Sequence, residues 1–182
     1  MISYDINWLQ QRYDNNESID YLFFWGHTNK TGEQVGKFLF SQWYPSHFVV
    51  DGITYPTAEH RMMAGKARLF NDVEILEKII NANTPKEAKD LGRQVKRFDA
   101  TAWEQHCFTI VKEGNYHKFT QNKGYKEYLL ATGNKVIVEA SPVDTIWGIG
   151  LTQDSMQAKN PHQWRGQNLL GFALMEVRDR LR

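Results

Sequence analysis

Hydrophobic residues recur along this chain with two spacings, and the spacing changes near residue 56. Before that point short apolar runs alternate with polar turns and predict strands at 21–25, 37–40, 48–50 and 53–55. We expect the first two strands to form a hairpin with a long loop. The last two flank Asp51-Gly52, a two-residue turn typical of a tight hairpin.

After residue 56 the apolar positions recur at three and four residues, which is helical spacing. Thr57 is a predicted N-cap, and Thr84 followed by Pro85 combines an N-cap with proline at the first helical position. The pattern predicts helices over about 57–70, 72–81, from 84, 102–115, 123–131 and 168–181, with short strands at 136–138 and 146–151.

These elements predict an α+β fold that is predominantly helical and forms a single compact domain. The chain has 182 residues, 41% of them hydrophobic and 24% charged, enough to bury a core. We place the domain at residues 21–182. Residues 1–20 are polar and are expected to form a short helical extension packed on it.

Charge and cysteine content narrow the function classes. The net charge is +1, so the basic excess usual for proteins that bind duplex nucleic acid is absent. Cys107 is the only cysteine, which excludes an intramolecular disulfide and favours a reducing compartment. No secretory signal or apolar run of the roughly 18 residues needed for a membrane span is visible. We therefore expect a cytoplasmic protein.

Glu59 and Lys66 are the first candidate pair. Seven residues are almost two helical turns, so both side chains lie on one face of the predicted helix. A carboxylate and an amine on one face can supply a proton donor or acceptor and a nucleophile. The alternative is a solvent-facing ion pair, with Glu59 stabilised by the helix dipole.

A basic stripe follows on the next predicted helix. Its members are separated by three or four residues and share one face: Lys86, Lys89, Arg93 and Lys96, with Arg97 beside them. The functional interpretation is a phosphate-binding surface centred on Gly92-Arg93. The alternative, a solvated face neutralised by Glu87 and Asp90, is favoured for the stripe as a whole, but Arg93 stays a candidate.

A third group follows the strand predicted at 136–138. Glu139 ends this strand, Asp144 lies in the following turn, and Trp147 precedes Gly148. Strand ends often carry functional groups because the scaffold is rigid, and a tryptophan can wall a pocket for a flat ring. The alternative is a turn in which Asp144 caps the backbone and Trp147 belongs to the core.

The sequence offers no sign of a metal or cofactor site. The six histidines form no pair at metal-binding spacing with a nearby carboxylate, and a single cysteine makes structural zinc unlikely. Gly148 and Gly150 lack the third glycine of a dinucleotide fingerprint. We expect neither a metal nor a cofactor.

Taken in order, these motifs resemble the NADAR family of YbiA-like N-glycosidases from about Tyr21 onward. Each motif alone is weak, but the ordered set is specific. The matching stretches are 40–43 (FSQW), 55–60 (YPTAEH), 66–67 (KA), 91–93 (LGR), Trp103, 118–119 (KF), 130–133 (LATG), 139–144 (EASPVD), 147–150 (WGIG), 168–171 (NLLG), Met175 and Arg178.

The resemblance implies an enzyme that hydrolyses the bond between ribose C1 and nitrogen. The implied substrates are the phosphorylated ribosylamino-pyrimidine intermediates of riboflavin synthesis, with ribose 5-phosphate released. Lys66 would be the nucleophile that forms a Schiff base and Glu59 would shuttle protons. Glu139 or Asp144 would stabilise positive charge or position water. A mechanism with water as the nucleophile and no covalent step stays open.

The resemblance also implies the binding residues. Arg93 would hold a phosphate and Trp147, with Trp103, would wall the base. Trp43, Gly148 and Asn168 are the remaining expected substrate contacts.

Two other functions remain open at this stage. One is hydrolysis of ADP-ribosylated guanine in nucleic acid, which other members of the family carry out. The other is a non-catalytic module that binds ADP-ribose or a related nucleotide, which would not need both Glu59 and Lys66. The expected partner is a small phosphorylated, nucleotide-like substrate or, for the first of these alternatives, ADP-ribosylated nucleic acid, with no membrane involved.

Overall fold

The structure is a computed structural model that describes residues 3–29 and 32–182. Its residues group into two compact units. The first combines the described parts of Met1–Ser41 with Gly124–Arg182, and the second is Gln42–Lys123.

The first unit is built on a parallel pair of strands. Strand β1 (Tyr21–Phe24) pairs with β4 (Val136–Glu139), in a register that sets Tyr21 opposite Val136 and Phe24 opposite Glu139. Helix α7 (Leu169–Leu181) packs against β4, and α6 (Tyr125–Ala131) packs against α7. Helix α1 (Ile6–Asp14) begins at Asp5, whose side chain accepts a hydrogen bond from the Trp8 amide, and Tyr4 Oη donates to Asp179 at 2.5 Å.

The second unit holds a hairpin and four helices. Strands β2 (Phe48–Val50) and β3 (Ile53–Tyr55) are antiparallel and meet at Asp51-Gly52, both with positive φ, as a tight hairpin turn requires. The helices are α2 (Ala58–Leu69), α3 (Val73–Ile80), α4 (Pro85–Gly92) and α5 (Ala100–Gln121). Helix α2 packs against the other three and is the centre of this unit.

Helices α2 and α4 begin at the predicted caps, Thr57 and Thr84, and α3 and α5 begin in the same way at Asp72 and Asp99. Thr57, Asp72, Thr84 and Asp99 each accept a hydrogen bond from a backbone amide in the first turn of the helix that follows. A capping side chain satisfies an amide that has no partner within the helix. The α+β, predominantly helical fold class is confirmed.

Two strand predictions were wrong. Lys37–Phe40 is a 3-10 helix with Phe38, Leu39 and Phe40 buried, so the apolar run serves the core and the partner of β1 is the distant β4. Within the described residues no strand forms over 146–151. That segment is a series of bends. The Ile149 amide donates a hydrogen bond to the Glu139 carbonyl oxygen, and the Gly150 amide donates to the Asp144 carbonyl oxygen.

Candidate functional site

The N-terminal turn of α2 is fixed by a buried histidine. His60 Nε2 lies 3.1 Å from the Ala82 carbonyl oxygen, which only accepts, so Nε2 carries the proton. The other nitrogen, Nδ1, is 2.8 Å from Thr57 Oγ1 and accepts its hydrogen, while Thr57 Oγ1 accepts from the His60 amide. Burial lowers the pKa of His60 and keeps the ring neutral. The first turn of α2, which carries Glu59, is thereby fixed by the hydrogen bonds of His60 to Thr57 and to Ala82.

Glu59 belongs to a buried polar cluster. Its side chain is largely enclosed, at 5% exposure, and its amide donates to the Gln42 carbonyl oxygen at 2.9 Å. The Gln42 side chain donates to Asn115 Oδ1 at 3.1 Å, and Asn115 Nδ2 donates to the Val111 carbonyl.

Lys118 lies one turn after Asn115 on α5 and is fully buried, at 0% exposure. Desolvation lowers its pKa to about 7. An amine that titrates near neutral pH is suited to proton transfer or nucleophilic attack. In the sequence Lys118 belongs to the matched stretch 118–119, with no predicted role. The only signal available was the ordered resemblance, because a single lysine in a helix of mixed polarity is unremarkable.

Lys66 is half-buried on α2, between two aromatic rings. Its Nζ lies 4.2 Å from the ring centroid of Phe98 and 5.6 Å from that of Trp103. Burial lowers the pKa of Lys66, and the positive charge of Arg93 lowers it further. Desolvation and a neighbouring cation are the two devices that make a lysine amine nucleophilic. The structure therefore brings together three predicted residues, Lys66, Arg93 and Trp103.

Phe98 completes this group and was missed in the sequence. It lies just before α5, outside any periodic pattern, and its exposed ring meets Phe70 edge-on at a centroid distance of 5.3 Å. Lys89 Nζ lies 5.8 Å from the ring centroid of Trp43.

The basic stripe was predicted on one helix face, but α4 ends at Gly92: Lys86 and Lys89 lie on it, Arg93 is its C-cap, and Lys96 and Arg97 follow the helix. Its charges are largely neutralised. Arg93 and Lys86 both bond to Asp90, at 2.9 and 2.7 Å, and Lys96 bonds to Glu74 at 2.9 Å. Arg93 stays accessible, with 68% of its side chain exposed. The interpretation of a solvated, ion-paired face fits these contacts.

Gly92 serves packing. A Cβ there would lie 2.1 Å from Met63 Sδ, so this glycine lets α4 approach α2.

In the first unit, Glu139 is positioned by Asn168. Glu139 is the last residue of β4, and its amide donates to Asn168 Oδ1 at 2.9 Å, while Asn168 Nδ2 donates to the Ile137 carbonyl at 2.9 Å. Asn168 is fully buried and adopts a left-handed conformation at φ 55° as the N-cap of α7. Its amide therefore joins the end of β4 to the start of α7.

Asp144 organises the turn that follows β4. Its Oδ1 accepts hydrogen bonds from the amides of Ile146 at 2.9 Å and Trp147 at 2.7 Å. A Cβ at Gly148 would lie 2.8 Å from the Glu139 carbonyl oxygen, so glycine is required where the turn folds back. Trp147 is half-buried beside it. The backbone-capping interpretation of Asp144 therefore matches its contacts. Glu139, Asp144, Trp147, Gly148 and Asn168 form a second group of predicted positions, within the first unit.

In residues 3–29 and 32–182, no cluster of three or more His, Cys, Asp or Glu side chains is arranged to hold a metal ion. No helix in those ranges is both long and apolar enough to cross a membrane.

Comparison with known proteins identifies the family. Residues 23–182 match the model of the NADAR domain, and the chain belongs to this family. It is 46% identical over 168 residues to N-glycosidase R617 of Acanthamoeba polyphaga mimivirus, covering 90% of this chain and 97% of that protein. It is 32% identical to N-glycosidase YbiA of Escherichia coli K12, over 72% and 74% of the two chains.

A solved structure and a further relative agree with this. The NMR structure of the E. coli protein YbiA matches with a TM-score of 0.65 at 27% identity, over 90% of this chain and 87% of that one. Riboflavin biosynthesis protein VVA0006 of Vibrio vulnificus is 30% identical over 78% of this chain and 35% of its own length. The predicted enzyme class, a hydrolase of N-glycosyl bonds, is confirmed by the names of the curated relatives.

Proposed function

We propose that this chain hydrolyses the ribose C1–N bond of phosphorylated ribosylamino-pyrimidines and releases ribose 5-phosphate. The observation that carries the proposal is Lys66, a half-buried amine with a lowered pKa between two aromatic rings, on the same helix as the enclosed Glu59. The relative named as a riboflavin biosynthesis protein supports this substrate class, since pyrimidines of this kind are intermediates of that pathway.

The chemistry begins at the leaving nitrogen. Its lone pair forms a C1=N bond as the C1–O4′ bond breaks, and Glu59 in its protonated form donates a proton to O4′, so that C1 becomes the carbon of a protonated imine. The neutral amine of Lys66 adds to C1, a proton passes from the Lys66 nitrogen to the base nitrogen, and the C1–N bond to the pyrimidine breaks, so that the base leaves as an amine. Lys66 then holds C1 as a protonated Schiff base, and the charge on C1 has passed to a nitrogen of the protein.

Water completes the reaction. It adds to C1 of the Schiff base, loses a proton to a carboxylate, and expels Lys66, which gives ribose 5-phosphate as its aldehyde. Glu139 or Asp144 is assigned the stabilisation of positive charge or the positioning of this water. Arg93, exposed and fork-shaped, is assigned the phosphate. Trp147 and Trp103 are assigned the base, and Trp43 and Gly148 further substrate contacts.

Asn168 receives a different role from the one first expected. Both ends of its amide bond to the backbone of β4, so we assign it the positioning of Glu139, with no direct substrate contact.

The test is release of ribose 5-phosphate from 5-amino-6-(5-phosphoribosylamino)uracil. We expect turnover by the wild type and a loss of about 100-fold or more in Glu59→Gln, which cannot donate or accept the proton. Glu77→Gln, an exposed glutamate on α3, is the matched control and should keep full activity. Failure of the wild type to release ribose 5-phosphate would refute this substrate assignment. ADP-ribosylated guanine and plain ADP-ribose binding would then be measured next.

A further inference from the structure

Trp25 lies in the first unit and has the largest exposed fraction of the tryptophans that the structure describes. It directly follows β1, and 61% of it is exposed. The register of the strand pair sets Phe24 opposite Glu139, and the Ala140 amide donates to the Phe24 carbonyl at 2.8 Å, which extends the pairing by one step. Trp25 therefore lies beside the residue that follows Glu139.

The turn after β4 adds two more exposed apolar side chains at the same end of the strand pair. Val143 is 84% exposed and Ile146 is 52% exposed. The turn is held back against the strand end, because the Ile149 amide donates to the Glu139 carbonyl at 3.0 Å and Asp144 caps the Ile146 and Trp147 amides. The rigid backbone thus presents these side chains to solvent as a fixed feature.

Large apolar side chains grouped in solvent mark a binding surface more often than a folding requirement. In open α/β sheets ligands bind outside the carboxyl ends of the parallel strands, and Trp25 and the turn lie at the corresponding end of this two-stranded pair. Among the described residues, no hydrogen bond or ring contact of Trp25 is found, so the contacts within this unit give the indole no evident structural role. Trp147, by contrast, is half-buried in the turn.

We propose that Trp25 supplies a further stacking face for the pyrimidine ring of the substrate, in addition to the contacts assigned to Trp147 and Trp103, with Val143 and Ile146 as its apolar rim. This inference rests on the proposed function, because it takes the pyrimidine from it. An indole face stacks on any flat base and forms no hydrogen bonds to the base edge. Trp25 therefore contributes affinity for the base and does not distinguish one base from another. It acts in the ground state and the transition state alike, and therefore belongs to substrate binding.

The kinetic test compares Trp25→Ala and Trp25→Phe with the wild type in the ribose 5-phosphate assay. We expect KM to rise about tenfold in Trp25→Ala with kcat little changed, as for loss of uniform binding, and Trp25→Phe to recover most of the affinity. Tyr13→Ala removes another exposed ring of the same unit and should leave KM unchanged. An unchanged KM in Trp25→Ala, or a loss confined to kcat, overturns the stacking role.

A binding test decides the inference even where the proposed reaction fails. Uridine 5′-monophosphate, a stable pyrimidine ribotide, is titrated while the six indole N–H signals are followed by NMR, with the Trp25 signal assigned from Trp25→Phe. We expect the Trp25 signal to shift and the Trp8 signal to stay. A Trp25 signal that stays fixed up to millimolar ligand overturns the inference. Absence of ribose 5-phosphate release with a shifting Trp25 signal overturns the proposed reaction alone.

Discussion

The candidate residues of α2 and those that follow β4 use their side chains in opposite ways. On α2, Glu59 and Lys66 project from a helix whose backbone is satisfied by its own hydrogen bonds and by the Thr57 cap. After β4, the side chains of Asn168 and Asp144 are themselves the hydrogen-bond partners of the backbone. Lys66 can therefore be changed with little effect on folding, whereas the side chains of the second group are needed to hold the backbone around them.

This difference decides how mutations are to be interpreted. Loss of activity on α2 reports chemistry directly. Loss of activity after β4 mixes chemistry with displacement of the turn, and only substitutions that keep the hydrogen bonds can separate the two.

The largest effect is expected from Lys66→Met, which keeps the apolar stem and removes the amine. Loss of the nucleophile should reduce kcat by about 1000-fold or more, with the thermal unfolding midpoint within a few degrees of wild type. Lys78→Met, on exposed α3, is the matched control. Borohydride reduction during turnover should attach the ribose 5-phosphate carbons to Lys66 in the wild type. Nearly full activity in Lys66→Met would refute the covalent role, and an adduct on Lys118 would transfer it there.

Asn168→Ala should unfold more easily by about 2–4 kcal/mol in urea. It leaves the Ile137 carbonyl and the Glu139 amide without their partner and puts alanine at a left-handed position. Asn168→Gly relieves the backbone strain and should recover about 1 kcal/mol of that loss. Asn160→Ala, at the half-buried cap of a short 3-10 helix, should cost less than either. Equal stability of Asn168→Ala and wild type would remove the contrast between the two regions.

Asp144 allows the two contributions to be separated within one side chain. Asp144→Asn keeps an oxygen for the Ile146 and Trp147 amides, so stability should hold while activity falls if the carboxylate charge is needed. Asp144→Ala loses both bonds and should cost about 1–2 kcal/mol as well. The measurement is urea unfolding beside kcat for each variant. Full activity in Asp144→Asn would show that the turn geometry alone matters.

The smallest effect concerns pH and His60. Burial lowers the pKa of His60 below its ordinary 6.5, so the unfolded chain binds more protons than the folded one just below pH 6.5. Stability from this group is therefore complete above pH 6.5 and is lost as pH falls toward the folded pKa, by at most about 1.4 kcal/mol per pH unit. His60→Gln should show a flatter profile in urea unfolding between pH 7.5 and 5. If wild type and His60→Gln lose stability in parallel over this pH range, protonation of His60 does not destabilise the folded state.

Local chemistry explains where prediction from sequence succeeded. The Asp51-Gly52 hairpin and the caps at Thr57 and Thr84 depend on a few adjacent residues, and the structure has all three. The error at Lys37–Phe40 arose because a short apolar run has the same pattern in a strand and in a buried 3-10 turn. Which one forms depends on the partner of β1, and β4 lies about 115 residues further along the chain.

The candidate site divides in the same way. Helical spacing placed Glu59 and Lys66 on one face, and the ordered motifs of the family supplied the residues around β4. Phe98 and the buried Lys118 could not be found this way, because their significance comes from packing. Burial changes the pKa of a lysine, but no spacing in the sequence reports it.

The pairing of β1 with β4 also has a consequence for the order in which the molecule forms during synthesis. The second unit is one continuous stretch, Gln42–Lys123, and its contacts are available once that stretch has left the ribosome. Strand β1 emerges earlier but must wait for residues 136–139. During that interval its apolar strand edge is unpaired, and chaperone binding to a nascent chain stalled after residue 123 would be expected at Tyr21–Phe24.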